Sequence, residues 1–123
     1  MARARTSSPS QQNNLCRVLS DLIELLSETD SDFRPTPYAF TRASELLNGA
    51  GKQVQSDIPF GYAYSDGESG VRIEWENETK QVRLQVPASE SGREYIYHQE
   101  GESYEIIEPS TKTELARWLA WLA

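Results

Sequence analysis

Residues 71–86 read VRIEWENETKQVRLQV, and two alternating runs flank a short polar turn within them. Val71, Ile73 and Trp75 fall on one side of an extended chain and Arg72, Glu74 and Glu76 on the other, the period of two of a half-buried strand. Val82, Leu84 and Val86 repeat the pattern against Gln81, Arg83 and Gln85. The turn NETK makes a register predictable. If Trp75 pairs with Val82, then Ile73 meets Leu84, Val71 meets Val86, and Glu74 meets Arg83 on the wet side. A slip of one residue would bury the charges, so both faces favour the same antiparallel pairing.

Three more strands extend this hairpin. Ile58, Phe60, Tyr62 and Tyr64 alternate with Pro59, Gly61, Ala63 and Ser65, which predicts a strand over 58–65 with the aromatic side inward. The central strands are expected over 70–76 and 81–86. A second hairpin is expected over 94–99 and 102–107 around Glu100 and Gly101, with Tyr97 facing Tyr104 and Tyr95 facing Ile106. The result is a five-stranded antiparallel meander. Its interior would gather Tyr62, Tyr64, Trp75, Tyr95, Tyr97 and Tyr104, joined by Trp118, and this phase sends His98 to the outer face.

Helical spacing brackets the strands. Leu15, Val18, Leu19, Leu22, Leu25 and Leu26 make one apolar stripe, and with Ser8, Pro9 and Gln11 as start signals they predict a helix over 9–28. Thr36 and Pro37 open a second helix, carrying Ala39, Phe40, Ala43, Leu46 and Leu47. Asn48, Gly49 and Gly51 then suggest an end near 49. Thr111 and Glu114 form a capping box for a third helix over 111–122, with Leu115, Trp118, Leu119 and Leu122 on one side. A sheet with one apolar face needs a single covering layer, so the expected fold is α+β, a two-layer sandwich with all three helices on one face. Residues 9–123 would form one domain behind a disordered tail at 1–8.

A chain of 123 residues suits one core. The absence of a long apolar run points to a cytoplasmic protein without membrane contact, and Cys16, the single cysteine, leaves no intramolecular disulfide to form. From Asp66 to Glu108 eleven acidic residues stand against four basic ones, so this segment carries the whole net charge of −7. An acidic sheet region repels phosphate backbones and attracts basic partners. Arg3 and Arg5 make only a small basic tail.

Chemistry is sparse. His98 is the only histidine, and Cys16 has no second histidine with which to form a relay. Asp66 with Glu68 sits in a glycine-rich turn, and Glu74 with Glu76 lies on a strand face, so neither pair has the burial that shifts a carboxyl group. DGESG lacks the acidic spacing of a calcium loop, and no zinc or phosphate-loop pattern is present. The expectation is a non-enzyme with no catalytic residue, metal or cofactor. Trp121 falls at the margin of the last helical stripe, where an exposed indole would serve as an interface anchor and a covered one would be plain edge packing.

The segments PTPYAFTRASELL, DGESGVRIEWENETKQVRLQVP, EYIYHQEGESYEI and ELARWLAWL together resemble small bacterial proteins of unknown function. In these a Pro-Thr helix start is followed by a glycine-rich turn, an I-x-x-E-W-like strand and a final Leu-Ala-x-Trp-Leu helix. The resemblance implies an architecture and, by analogy, membership of two-gene modules such as toxin and antitoxin pairs. It supplies no catalytic residues.

The leading expectation is therefore a protein–protein interaction module that offers Glu74, Glu76, Arg83, Glu105, Trp118 and Trp121 to a protein partner with a basic surface. Self-association into a homodimer stays open. Two alternatives follow from other features: a small-ligand-binding or enzymatic domain using the aromatic interior, and a weak DNA-binding protein using the first two helices.

Overall fold

The computed structural model describes residues 9–54 and 58–123, with side chains from Asn14 onward. The expected tail at 1–8, with Arg3, Arg5 and Ser8, lies outside the described residues. Helix α1 spans Pro9–Glu24 and runs into a 3-10 turn at Leu25–Ser27, and α2 spans Pro37–Gln53. Five strands follow, β1 (Gly61–Ser65), β2 (Val71–Asn77), β3 (Lys80–Val86), β4 (Tyr95–Glu100) and β5 (Ser103–Ile107), before α3 at Lys112–Leu122. The strands form one antiparallel sheet in the order β1-β2-β3-β4-β5. This is the expected α+β meander with helices packed against it.

The central hairpin has the register read from its sequence. Val71 pairs with Val86, Ile73 with Leu84, Trp75 with Val82, and Glu74 with Arg83. Val71, Ile73, Val82, Leu84 and Val86 are wholly buried and Trp75 is 1% exposed. The helices lie over this side: α1 against β1 and α2, α2 against β2 and β3, and α3 against β2, β3 and β4. Val18 and Leu22 of α1, Ala39, Ala43, Leu46, Leu47 and Ala50 of α2, and Leu115, Leu119 and Leu122 of α3 complete the core. Leu26, expected in the first stripe, is exposed, because the helix tightens to a 3-10 turn one residue earlier and rotates it outward.

The outer strands take the opposite phase from the expectation. Gly61 pairs with Trp75 and Ala63 with Ile73, so the small residues of β1 face the helices and Tyr62 and Tyr64 face away. Ile96 pairs with Leu84 and is fully buried, which turns Tyr95 and Tyr97 to the open face and His98 to the covered one. The second hairpin is displaced by two residues, with Tyr97 opposite Ile106 and Gln99 opposite Tyr104. An aliphatic side chain completes a dry core without further demands, whereas a buried tyrosine needs a partner for its hydroxyl. On β1, Trp75 leaves no room for a side chain: a Cβ on Gly61 would stand 2.3 Å from the indole Nε1.

Helix α2 also runs past its expected end, through Gly49 and Gly51 to Gln53. These glycines admit neighbours rather than terminate the helix. A Cβ on Gly49 would lie 2.6 Å from Lys112 Cδ at the start of α3, and one on Gly51 would lie 2.9 Å from Leu15 Cδ2 on α1. Close helix approach explains both better than a left-handed cap does. The start of α2 is as expected, with Thr36 Oγ1 accepting from Ala39 N at 3.1 Å and Pro37 in the first turn. Thr111 Oγ1 likewise accepts from Glu114 N at 3.0 Å to open α3.

Loops are fastened by named groups. Asp66 Oδ1 accepts from the backbone N–H of Glu68 and Gly70, both at 2.8 Å, and Oδ2 accepts from Gln85 Nε2 at 2.8 Å. The DGESG segment is thus a structural turn, as its residues suggest. Arg42 of α2 donates Nε and Nη2 to the two Glu94 carboxylate oxygens, both at 2.9 Å, and Nη2 also reaches the Ser110 carbonyl at 3.1 Å. The Ser110 hydroxyl donates to the same carboxylate. This clamp ties α2, the entry to β4 and the entry to α3 at one point.

Candidate interaction surfaces

Two surfaces combine exposure with recognition chemistry, and they lie on opposite sides of the sheet. The first is a groove of about 540 Å³ where α3 crosses β4 and β5, lined by His98, Glu100, Ser103, Tyr104, Glu105, Trp118 and Trp121. Residues 118 and 121 stand three apart on α3, so both indoles project from one side of the helix. Their rings meet edge to face with centroids 5.3 Å apart. His98 lies flat under Trp118, at a centroid distance of 3.6 Å and an interplanar angle of 16°, and meets Trp121 at 5.5 Å.

Polar contacts fix the far end of this helix. Asn77 Nδ2 donates to the Leu122 carbonyl at 2.7 Å and Lys80 Nζ to the Trp121 carbonyl at 3.2 Å, satisfying acceptors that the helix itself cannot pair. Lys80 Nζ also lies 4.9 Å from the Trp121 ring centroid, and the Arg117 guanidinium lies 5.3 Å from that of Trp118. Both indoles therefore already attract cations. Glu105 Oε1 stands 3.0 Å from His98 Nε2, yet the Glu105 side chain remains 62% exposed while that of His98 is 13% exposed. None of the lining residues is lysine or arginine.

The second surface is the uncovered sheet face. Pairing brings its side chains into rows, of which the central one runs Tyr62, Glu74, Arg83, Tyr97, Ile106 across all five strands. Arg83 Nε donates to Glu74 Oε2 at 2.8 Å in the middle of that row. The Arg83 guanidinium also sits 5.1 Å from the Tyr97 ring centroid, and Tyr97 stacks on Tyr104 at 5.8 Å. Five of the six tyrosines lie on this face. Tyr62 and Tyr104 are 59% and 67% exposed, and Ile106 is 40% exposed. Burial, reinforced by a hydrogen bond to Glu74, raises the Tyr64 hydroxyl above the ordinary tyrosine range.

The residues expected to meet a partner, Glu74, Glu76, Arg83 and Glu105 on the sheet face and Trp118 and Trp121 on the last helix, are thus regrouped. Glu74, Glu76 and Arg83 belong to the open face, whereas Glu105, Trp118 and Trp121 belong to the groove. Glu105 changes sides because it pairs with His98, whose strand takes the phase set by Ile96. Nor is the open face acidic: Arg72 and Arg83 balance Glu74 and Glu76. The tyrosines expected in the interior, where the ligand-binding alternative would use them, point away from the core, which is filled by aliphatic residues and Trp75. His98 is a groove residue missed in the sequence, and Tyr104 borders the groove from the edge strand although its ring stacks on Tyr97 of the open face. The signal for His98 was Ile96 two positions before it, since an aliphatic residue claims the dry face ahead of tyrosine.

Among the described residues, no group of three or more His, Cys, Asp or Glu side chains could hold a metal ion, and no helix is long and apolar enough to cross a membrane. Cys16 is exposed. No family model, curated protein or solved structure matches the chain.

Proposed function

We propose that this protein is a non-catalytic interaction module that seats a basic segment of a protein partner in the groove formed by α3, β4 and β5. The observation that carries this reading is the pair of indoles on α3 beside the carboxylates of Glu100 and Glu105, where Lys80 and Arg117 of the chain itself already rest on the two rings. A guanidinium or ammonium entering there gains a carboxylate partner and an aromatic wall together. The surroundings favour the same charge. The β2–β3 and β4–β5 turns meet at this end of the sheet, where Gly101 N donates to the Thr79 carbonyl at 3.3 Å, and they carry Glu76, Glu78, Glu100 and Glu102 against Lys80. Such a field raises the encounter rate with a basic partner and sets its orientation. Within a two-gene module, the product of the neighbouring gene would be the natural candidate for that partner.

Tryptophan emission gives a direct test. Titration of the whole chain with an arginine-rich peptide should change the emission, and the change should weaken as salt rises. Trp121→Ala should weaken binding by about 30-fold, the scale of an anchor worth about 2 kcal/mol. Glu105→Gln should weaken it by about 3- to 10-fold, as expected for an exposed charge. An emission unaffected by the peptide, or an affinity unchanged by both substitutions, would remove the groove as the binding site.

A further inference from the structure

We infer that the uncovered sheet face is the contact surface of a symmetric homodimer, in which two copies stack their sheets face to face. The whole chain carries a net charge of −7, so two copies repel one another over most of their surface. The open face is the exception. The charged residues of its strands, Arg72, Glu74, Glu76 and Arg83, sum to zero, and Glu74 and Arg83 already neutralise each other at 2.8 Å. Arg93 and Glu108 pair at its edge, leaving Asp66, bonded to Gln85, as the one further charge there among the described residues. A basic partner would be drawn to the acidic turns rather than to this neutral, tyrosine-rich surface. A second copy meets no such preference, and tyrosine supplies large contact area at small entropic cost.

The size is sufficient. Five strands about 4.8 Å apart and about 20 Å long give a face of about 500 Å², so two such faces bury roughly 1,000–1,300 Å² of accessible surface, where specific interfaces begin. The rows are also self-complementary. A two-fold axis along β3, the middle strand, places β1 of one copy over β5 of the other at equal height. Tyr62 then meets Ile106 of the second copy, Glu74 meets Tyr97, and Arg72 meets Tyr95, each across the interface. Along the axis Gln81, Arg83 and Gln85 each meet their own copy, and each Arg83 guanidinium is held by its Glu74. Aligned stacking of two twisted sheets is an established packing mode.

The test exploits Tyr62 and Ile106, which lie on opposite edge strands and touch only between copies. Sedimentation equilibrium of the full chain at about 10–100 µM should show a dimer, the range expected for an interface of this modest size. Tyr62→Glu and Ile106→Lys should each raise the dimer dissociation constant at least 10-fold, roughly the effect of one uncompensated interface charge. The double variant should regain the dimer, because each new carboxylate would face a new ammonium on the other copy. Circular dichroism checks that each variant is folded; should one unfold, Tyr62→Lys with Ile106→Glu provides the same pair with charges exchanged. A monomeric wild-type chain, a dimer indifferent to both single changes, or a loss that the double variant does not restore would each overturn the inference. Binding of an arginine-rich peptide in the groove is read separately, so either result stands without the other.

Discussion

Replacing Trp75 with alanine is expected to cost about 3–5 kcal/mol of unfolding free energy, the largest effect of any single substitution in the sheet. The indole is 1% exposed at the centre of the covered face, where it pairs with Val82 and lies across Gly61. Its removal combines lost apolar burial with a cavity that two rigid layers cannot close. A domain of this size holds about 6–18 kcal/mol in total, so the loss is a large fraction of it. Urea denaturation should show the midpoint fall with little change in slope.

Gly61→Ala provides the complementary half. A Cβ there would stand 2.3 Å from Trp75 Nε1 and 2.5 Å from Cδ1, a clash that either the ring or the strand must relieve. The expected cost is about 2 kcal/mol with Trp75 in place. In a Trp75→Leu background the obstruction is gone, so the same alanine should cost almost nothing, and the two changes should be coupled by at least about 1 kcal/mol. Additive effects would mean that the indole does not lie over β1.

The second large effect is expected at the clamp. Glu94→Ala should destabilise the protein by about 2–3 kcal/mol, read from the same urea midpoint, because it strands the Arg42 guanidinium beside a buried Ser110. That range lies below the figure for a fully buried pair because the Arg42 side chain is one-third exposed, at 33%. Hydrogen bonding to Glu94 raises the Arg42 pKa, with burial opposing. The sign follows: a cation stabilised in the folded state contributes at every pH below its already high ordinary value and loses that contribution only in strong alkali. Arg42→Lys should recover only part of the stability, since an ammonium cannot span both carboxylate oxygens. An effect of Glu94→Ala no larger than that of Arg93→Ala, at an exposed ion pair with Glu108, would show the clamp to be ornamental.

The contrast between strands explains how much of this was legible in the sequence. In β2 and β3 the two faces carry different chemistry, aliphatic or indole against charged or amide, so only one phase is sensible. In β1 and β4 the alternation sets tyrosine against glycine, alanine, isoleucine or histidine, and tyrosine suits either side. In β5 Tyr104 and Ile106 alternate with Ser103, Glu105 and Ile107, so each side carries an isoleucine. Counting tyrosine as apolar reversed three strands. The connection at 87–94 is too long to carry phase from β3 into β4, so only packing against Leu84 decides in favour of Ile96.

The same ambiguity governs the sites. Trp118 and Trp121 could be placed from helical spacing alone, but the histidine beneath them could not, because its position depends on the β4 phase. Glu105 went to the wrong face for that reason. The glycines of α2 read as a helix end in the sequence, and only the positions of Lys112 and Leu15 show that they serve close contact instead.

The central claim is that Ile96 and His98 face the helices while Tyr95 and Tyr97 face away. With only one histidine in the chain, its ring protons can be assigned without ambiguity, and a nuclear Overhauser spectrum of the full-length protein tests the claim directly. Cross-peaks from the His98 ring to the indole protons of Trp118, and from Ile96 methyls to Leu84, are the predicted result. Cross-peaks from the Tyr97 ring to the side chains of α3, with His98 free of both tryptophans, would contradict it.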